Sequence, residues 1–414
     1  MSASSAPSDA ASAAPSRAGP VVLLCFAAVL ISYLDRTNIS VAAIAMQEDL
    51  GWDEATKGIV LSSFFVGYVL LQVVAGTLAN RFGGRIVLGA AVLWWSAFTA
   101  LTPPAAAASF GLLIAARIAL GLGEAAVFPG SINMIGRWVP AAQRSRAVAL
   151  FSSGLSVGTV IALPLTAWIV RTWGWPTSFY AFGALGIVWA VAWFVLVPEG
   201  RGVVEEATGP NDVPWRRICS TPAVWAIVAS HFAHNWALYL LLAWLPSYFK
   251  STFGVSLSSA GWLSAAPWLV SFLVANAGGV VADRALRAGR SATAVRKALL
   301  TAAFLGGAGF LLLLPFATTP GIALLLMCGT TSALALCIAG FGPNAFDIAP
   351  KYADVIWGIT NTAGTLPGII GVAVTGFLVQ RTGSYDAPFL VTAALCVAGA
   401  ITYRAIGSGE RQID

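Results

Sequence analysis

The chain has 414 residues, of which 58% are hydrophobic and 10% are charged, and its mean hydropathy is +0.81. A soluble protein of this length could not bury so much apolar surface, so the composition excludes a soluble globular domain and predicts a membrane protein. The formal net charge of +6 does not require a nucleic-acid partner, because the basic residues cluster in short connectors between long uncharged stretches.

The uncharged stretches follow one another along most of the chain. Each is close to or above the roughly 20 residues that a helix needs to cross the hydrocarbon core. They lack the alternation of transmembrane β-strands. The sequence therefore predicts an all-α membrane protein with twelve transmembrane helices in two pseudo-symmetric six-helix bundles. The predicted helices lie at 20–46, 57–80, 85–102, 108–136, 144–170 and 177–197, and then at 222–248, 258–281, 298–317, 320–343, 353–380 and 386–406.

Polar segments rich in Pro, Gly and Ser divide the chain. Residues 1–19 are predicted to be a disordered tail, because they are rich in Ser, Ala and Pro. A signal peptide is not expected, whereas an organelle transit peptide stays open as an alternative. The first bundle is predicted at 20–197, a cytoplasmic linker at 198–221, the second bundle at 222–406, and a C-terminal tail at 407–414.

A short loop pattern recurs at equivalent places in the two halves. GTLANRFGGR follows the second predicted helix, and GVVADRALRAGR follows the eighth. Repeated halves are typical of secondary transporters, so we interpret these segments as gating loops. The alternative interpretation is a helix end followed by a solvated basic turn. The aligned pairs are Gly76 with Gly279, Asn80 with Asp283, and Arg81 with Arg284.

The basic residues also predict the orientation in the membrane. Most of the 23 Lys and Arg residues fall on the side of the two termini, which the positive-inside rule assigns to the cytoplasm. Two of the others lie within predicted helices, at Arg36 and Arg117. The rest are assigned to loops of the opposite side, namely Lys57, Arg171, Lys250 and Arg381.

Four ionisable residues lie within predicted membrane helices. ISYLDRTNIS of the first helix contains Asp35 and Arg36, and RIALGLGEAAVFPG of the fourth contains Arg117 and Glu124. A charge at the bilayer centre costs about 2.5–3.5 kcal/mol on insertion scales, so such residues are functional by default. Arg117 and Glu124 are seven residues apart and therefore share one helix face. The alternative is that the four residues form an ion-pair cluster that only fixes helix packing.

Spacing within the first helix separates the two neighbouring charges. Tyr33, Arg36 and Ser40 share a stripe at i, i+3 and i+7, which indicates that Arg36 faces the central cavity. Asp35 then points about 100° away, where Arg117 of the fourth helix could meet it.

The charges of the four groups suggest a coupling between anion and proton. Two carboxylates and two guanidinium groups sum to zero, so an anion entering a dry cavity would leave an uncompensated negative charge. Protonation of Glu124 or Asp35 would restore the balance, and burial favours the protonated form of a carboxyl group. Binding of an anion and of a proton would then be mutually favourable, which predicts symport. Arginine suits an anion because its planar fork can hold a carboxylate or phosphate bidentately.

Four stretches together resemble the anion:cation symporter branch of the major facilitator superfamily. They are YLDRTNISVA, RIALGLGEAAVFPG, SHFAHNWALYLLLAWLPSYFK and NAFDIAPKYADVIWGITNTAGTLPGIIG. The branch includes organic-anion symporters, vesicular glutamate and sialic-acid transporters, and the plant phosphate-transporter group. The resemblance implies proton-coupling roles for Asp35 and Glu124, and substrate-binding roles for Arg36, Arg117, Tyr33, Tyr68 and Asn361.

The sequence departs from the family pattern at two positions. His234 stands where vesicular glutamate transporters carry an arginine, which disfavours a dicarboxylate such as glutamate. Asn80 replaces the usual acid of the first loop repeat. His234 and Asn235 are candidates either for substrate contact or for interhelical hydrogen bonds, and Tyr239 shares the face of Asn235 at i+4.

The sequence lacks the residue patterns that are typical of enzymes and of metal sites. We find no nucleophile–base arrangement of an enzyme, and His231 and His234 have no third ligand for a metal. We therefore predict a proton-coupled importer of a small anion, an organic acid or inorganic phosphate, without metal or cofactor. A drug/proton antiporter and a sodium-coupled anion transporter of the same fold are the alternatives. We expect a monomer in the inner membrane of a bacterium.

Overall fold

A computed structural model describes residues 18–198 and 213–413. These residues form helices and short connections and contain no strand, which confirms the predicted all-α fold. The predicted disordered tail falls almost entirely outside the described residues, as does most of the predicted linker. Twelve segments are long and apolar enough to cross a membrane, in agreement with the predicted number.

Six membrane-spanning segments form the first half, and the fourth of them is broken into two helices. The observed helices extend beyond the predicted bounds at most of their ends. They are α1 (Ala18–Leu50), α2 (Glu54–Phe82), α3 (Gly84–Ala108), α4 (Phe110–Glu124), α5 (Val127–Trp138), α6 (Ala141–Trp173) and α7 (Trp175–Leu196).

The second half repeats this arrangement and begins with a short helix that the sequence interpretation assigned to the linker. Its fourth membrane segment is broken as well. The helices are α8 (Trp215–Ser220), α9 (Pro222–Phe253), α10 (Leu257–Arg287), α11 (Ala292–Leu313), α12 (Pro320–Phe341), α13 (Asn344–Ile348), α14 (Ala353–Thr382) and α15 (Asp386–Ile406). The described part of the C-terminal tail, 407–413, is not helical.

Short polar side chains begin several of the helices. The carboxylate of Asp53 accepts a hydrogen bond of 2.7 Å from the backbone N–H of Thr56, which satisfies one free donor at the start of α2. The same kind of cap begins four other helices, through Ser109, Ser256, Ser291 and Thr319.

Proline explains the break between α4 and α5, which the sequence interpretation had drawn as one helix at 108–136. Pro129 has no backbone N–H and therefore cannot bond to the carbonyl of Ala125 four residues earlier. The chain turns at Ala125 and Ala126, and Glu124 becomes the last residue of α4. The break thus falls beside the acidic residue that the sequence analysis singled out.

We call the side where α1 begins and α15 ends the inner side, and the opposite side the outer side. The two halves pack against each other through α2 and α14 from the outer side past the middle of the bundle, where Thr365 donates a hydrogen bond of 3.3 Å to the side chain of Gln72. Near the outer side, a Cβ on Gly376 would meet backbone atoms of Glu54 and Gly58. Toward the inner side, a Cβ on Gly76 of α2 or on Gly358 of α14 would have nothing within 4 Å. The two helices therefore diverge toward the inner side.

The second pair of helices between the halves, α6 and α10, shows the same divergence. A Cβ on Gly261, at the outer end of α10, would meet Leu163 and Ala167 of α6. Gly279, nearer the inner end of α10, has open space within 4 Å of its Cβ position. The described residues thus adopt an inward-facing arrangement, closed on the outer side.

Within the first half, α2 and α4 approach each other through two glycines. A Cβ on Gly67 would overlap the carbonyl oxygen of Ile118, and a Cβ on Gly121 would overlap that of Phe64. Small residues allow such close approach of helix backbones in membranes. The contact fixes the position of α4 relative to α2.

We predict that Gly121→Ala lowers the apparent unfolding temperature of the purified protein in detergent. The added methyl group must push the two backbones apart, and overpacking of this kind costs about 1–3 kcal/mol. Gly111→Ala is the matched control, because Gly111 lies on the same helix and has nothing within 4 Å of its Cβ position. Equal unfolding temperatures for the two variants would contradict the described packing.

Candidate functional site

The middle of α1 is buried on all sides. Every residue from Ile31 to Ile44 is buried, including Asp35 and Arg36. Polar groups at this depth have no bulk water to bind, so partners from the protein must satisfy them. The surrounding helices are therefore the places to look for the groups that compensate these charges.

Arg36 forms a salt bridge with Glu124 at the end of α4. Its Nη2 lies 3.0 Å from Oε2 of Glu124, and its Nε donates to the same oxygen at 3.3 Å. Ser32, one turn before Arg36, also donates to this oxygen at 2.9 Å. Both charged side chains are almost completely buried. One carboxylate oxygen of Glu124 thus holds three donors of α1.

Three aromatic rings enclose the guanidinium group of Arg36. Its Cζ lies 4.9 Å from the ring centroid of Tyr33, 4.8 Å from that of Phe64 and 4.7 Å from that of Tyr68. The negative faces of aromatic rings attract a cation, most strongly where water is excluded. The rings therefore stabilise the charge of Arg36 and hold its fork in place. Tyr33 and Tyr68, predicted to line the substrate cavity, both contribute to this enclosure.

Asp35 points away from the guanidinium group of Arg36, as its position one residue earlier in the helix predicted. It lies beside Trp95 and Thr99 of α3, and it interacts electrostatically with Arg117 and Glu124. Within the described part of the chain, neither of its carboxylate oxygens has a hydrogen-bond partner, and Asp35 forms no salt bridge with Arg117. The expected contact between Asp35 and Arg117 is thus an electrostatic interaction and not an ion pair.

Arg36 and Arg117 line the same small cavity, together with Ser40 of α1 and Tyr239 of α9. The Nε and Nη1 atoms of Arg117 are buried and have no hydrogen-bond partner among the described residues. The cavity measures about 20 Å³, which is room for about one water molecule. It is too small for a substrate, so the site is closed above Arg36 in this arrangement.

The second half contributes α9 to the site. Tyr239 packs against Phe65 of α2 with ring centroids 4.5 Å apart, and it lies in electrostatic range of Arg36. The side-chain amide of Asn235 donates to the carbonyl of Gly364 at 2.7 Å. This bond agrees with the interhelical alternative for Asn235 and does not require a substrate.

His234 lies near the ring of Phe341, with centroids 5.6 Å apart. Its Nδ1 is buried without a hydrogen-bond partner in the described ranges. His231 stacks on the same ring at 4.7 Å. Asn361 of α14 is half-buried, and no side-chain hydrogen bond fixes it among the described residues. These positions leave His234 and Asn361 as candidates without an assigned role.

The residues predicted to form gating loops lie apart from the charged cluster, at the inner ends of α2 and α10, and they belong to these helices and not to loops. Asn80 accepts a hydrogen bond of 3.0 Å from the side chain of Asn133 within its own half. Four of these residues are exposed, in keeping with the divergence of the halves on this side, namely Asn80, Arg81, Asp283 and Arg284. Gly76 and Gly279 lie one turn earlier, where both helices face open space.

Polar contacts close the outer side above the site. Lys57, assigned to a loop by the sequence, lies in α2 and is only 2% exposed. Its Nζ binds Glu54 at 2.7 Å and lies 4.9 Å from the ring of Trp244 in the other half. The backbone N–H of Glu54 donates to the side chain of Gln380 at 2.9 Å. Lys250 pairs with Glu48 across the same interface. This group of residues, which we call the outer closure, consists of Glu48, Glu54, Lys57, Trp244, Lys250 and Gln380.

The sequence analysis missed Ser32, Phe64 and Lys57. A signal existed for the first two, because Ser32 lies four residues before Arg36 and Phe64 four residues before Tyr68. Residues four apart share one helix face, so Ser32 lies on the face of Arg36 and Phe64 lies on the face of Tyr68. The local partner Glu54 lies three residues before Lys57, but no local signal placed Lys57 inside the outer closure, because Trp244 comes from a distant part of the chain. In the described parts of the chain, no group of three His, Cys, Asp or Glu residues is placed to hold a metal ion.

Residues 25–372 match the sequence model of the Major Facilitator Superfamily. The chain belongs to this superfamily. The resemblance noted in the sequence is confirmed, and the protein is a transporter and not an enzyme. It is an integral multi-pass membrane protein.

Two relatives from Arabidopsis thaliana are similar over most of the chain. One is the chloroplastic ascorbate transporter, 39% identical over 409 residues, which cover 95% of this chain and 75% of that protein. The other is the chloroplastic sodium-dependent phosphate transport protein 1, 39% identical over 95% of this chain and 80% of the relative. Both are chloroplast proteins of a plant and do not support the prediction of a bacterial inner membrane.

Solved structures share the fold at low sequence identity. The D-xylose–proton symporter superposes with a TM-score of 0.78 at 16% identity, covering 94% of this chain and 99% of that one. A bacterial homologue of the human lysosomal transporter Spinster, in an inward-facing and occupied conformation, gives 0.75 at 18% identity and covers 94% and 96% of the two chains. At these identities the likeness concerns the fold alone.

Proposed function

We propose that the protein imports a small anion by proton symport, with Arg36 as the main anion-binding group and Glu124 as the proton-coupling group. The single observation that carries the proposal is the buried salt bridge between these two residues, which uses Nε and Nη2 of Arg36. These are two of the donors that a bidentate anion would need. An anion and an ionised Glu124 therefore compete for the same fork.

Protonation of Glu124 resolves this competition. A neutral carboxyl group no longer balances the charge of Arg36, and the guanidinium group becomes available to an incoming anion. Removing the anion leaves a buried arginine that needs a counter-charge, so Glu124 gives up its proton again. Ser32 can hold either form of the acid, because a hydroxyl group both donates and accepts. Anion and proton thus favour each other's binding.

Asp35 and Arg117 supply a second acid and base close to the first pair. The unpartnered Nε and Nη1 atoms of Arg117 offer donors to a second oxygen of the anion. Asp35 is the second proton-coupling group in this proposal, because it is buried and neither of its carboxylate oxygens has a hydrogen-bond partner in the described part of the chain. Four groups that sum to zero charge before binding return to zero with one anion and one proton.

Transport requires that the site opens alternately to the two sides. The halves diverge toward the inner side, and the outer closure joins them on the other, which suits release toward the inner side. The outer closure joins the halves through hydrogen bonds, an ion pair and a cation–ring contact, which can separate when the halves rock. We propose that the halves exchange this closure for contacts between the inner ends of α2 and α10.

The alternatives differ in the cargo and in the coupling ion. Two guanidinium groups at the cavity would repel a cationic drug, which disfavours a drug/proton antiporter. One relative is named as a sodium-dependent phosphate transporter. A sodium-coupled transporter of the same fold is therefore the second candidate. The names of the relatives include ascorbate and phosphate, which agree with a small anion as the cargo class.

We predict that Arg36→Ala strongly weakens anion binding. Purified wild-type protein would first be screened by thermal shift against phosphate, ascorbate, gluconate and glutamate, and the stabilising anion would then be titrated. Loss of two charge-assisted hydrogen bonds should weaken affinity by about 100-fold. Arg36→Lys keeps the charge and lacks the fork, so it should bind weakly. Arg290→Ala, on the exposed inner side, is the control. Unchanged affinity in Arg36→Ala would place the anion site elsewhere.

We predict that Glu124→Gln abolishes accumulation driven by a pH gradient in proteoliposomes and spares anion exchange. The amide keeps the shape of the protonated acid but cannot release a proton. Glu410→Gln, in the exposed tail, is the control for loss of a carboxylate. Replacing sodium with choline should leave wild-type accumulation unchanged, and a requirement for sodium would favour the second candidate. Accumulation that persists in Glu124→Gln would refute the coupling role.

A further inference from the structure

The segment that follows α15 lies against the inner side of the second half. Residues 407–413 are not helical, but several contacts hold them in place. The backbone N–H of Gly409 donates a hydrogen bond of 2.9 Å to the hydroxyl group of Thr293 at the start of α11. The side chain of Arg217 in α8 donates to the carbonyl oxygen of Gln412, also at 2.9 Å. These partners belong to the second half, and we call residues 407–413 the strap.

The strap packs closely and buries apolar surface. A Cβ on Gly409 would lie 2.6 Å from the backbone nitrogen of Thr293 and 2.9 Å from the Cβ of Ala292. Glycine has no Cβ and therefore permits this close approach of two backbones. Ile413, near the other end of the strap, is completely buried. The strap is therefore a packed part of the second half.

The strap binds both ends of α13. This helix has only five residues, and a helix of this length is not stable by itself. Its last carbonyl group, that of Ile348, accepts hydrogen bonds from the backbone N–H groups of Gln412 at 2.8 Å and Ile413 at 3.1 Å. The side chain of Asn344, at the start of α13, donates to the carbonyl of Ser408 at 2.9 Å. Since the last carbonyl groups of a helix lack partners within it, the strap supplies the missing donors.

Two membrane-spanning helices also hold α13. Arg296 of α11 forms a salt bridge of 2.9 Å with Asp347. The hydroxyl group of Tyr403 in α15 donates to the side chain of Asn344 at 2.7 Å. The strap adds α8 to this set, through Arg217. The position of α13 thus depends on contacts from outside the helix.

α13 is the inner part of the tenth membrane segment, which is broken at Gly342 and Pro343. Pro343 has no backbone N–H and therefore cannot bond to the carbonyl of Ala339 four residues earlier. Arg296 donates to this carbonyl instead, at 2.9 Å. Because helical hydrogen bonds are interrupted here, α13 can bend relative to α12 unless other contacts restrain it.

We infer that the strap locks α13 at this break, so that the inner end of the tenth membrane segment moves with the second half as one unit. A short connection joins α13 to α14, and α14 packs on α2 of the first half. Rocking of the two halves requires that each half moves as a unit. A detached strap would let α13 and the start of α14 bend, and the exchange between inward-facing and outward-facing arrangements would slow down.

The central anion site does not depend on the strap. Arg36, Arg117 and Glu124 lie in the first half, and the strap has no hydrogen bond to them in the described part of the chain. The strap therefore acts on the rate of transport and not on the affinity for the anion. This role goes beyond the proposed function, because it is the same for a proton and for a sodium ion as the coupling ion.

Hydrogen exchange of the purified protein tests the lock. Gly409→Val places a side chain where the backbone of α11 lies, so the strap should detach. The backbone amides of residues 344–356 should then exchange about tenfold faster, because α13 loses its hydrogen bonds to the strap. Glu410→Val places the same side chain at an exposed neighbouring position and should leave the exchange unchanged. A chain that is truncated after Ile406 should match Gly409→Val, and unfolding temperatures would show that the variants are folded.

Transport kinetics separate a role in rocking from a purely structural one. The probe is phosphate, or ascorbate if phosphate does not stabilise the wild-type protein, in anion exchange across proteoliposomes without a pH gradient. The maximal rate should fall about fivefold in Gly409→Val with an unchanged KM, since the loss corresponds to about one hydrogen bond. Glu410→Val should match the wild-type protein.

Equal amide exchange in the wild-type protein, Gly409→Val and the truncated chain would overturn the inference. Faster amide exchange with an unchanged maximal rate would overturn it as well, and so would a rise of KM that matches the fall in rate. Amide exchange needs no anion, and anion exchange needs no proton gradient. Failure of the proposed symport can therefore be distinguished from failure of this inference.

Discussion

The salt bridge between Arg36 and Glu124 lies in the middle of a membrane-spanning bundle, where each charge alone would be costly. Its surroundings reduce that cost. Three rings of α1 and α2 face the guanidinium group, and Ser32 donates to the carboxylate. Neutralising one partner of a buried pair leaves the charge of the other uncompensated in an environment of low dielectric constant. This penalty is the physical basis on which the arrival of a proton and the arrival of an anion can depend on each other.

The backbone supports this arrangement at two points. Pro129, in the first turn of α5, interrupts the helical hydrogen bonds, and α4 ends at Glu124. The acid therefore lies at a helix end and not within a continuous helix. Gly67 and Gly121 let α2 approach α4 closely, which carries Phe64 to a position beside both Arg36 and Arg117. The site is therefore formed within the first half. The second half covers it from the outer side through Tyr239 and the outer closure.

Properties that depend on one segment could be predicted from the sequence, and properties that depend on the relation between segments could not. Hydropathy gave the twelve spans, and the spacing of Tyr33, Arg36 and Ser40 placed Arg36 toward the cavity, where it lies. The pairing of Arg36 with Glu124 depends on how α4 is rotated against α1, which no local pattern encodes. Lys57 was assigned to a loop for the same reason, since Trp244 buries it from a part of the chain almost 200 residues away. Pro129 was visible in the sequence and would have revealed the break in the fourth span.

The most direct test of the central claim is the number of protons taken up when the anion binds. Calorimetric titrations of wild-type protein at pH 7, in buffers of different ionisation enthalpy, measure this number without any membrane gradient. The account predicts uptake of about one proton per bound anion, because the buried cluster returns to neutrality. Glu124→Gln should bind the anion with uptake reduced toward zero. Tight binding to the wild-type protein without proton uptake would contradict the account.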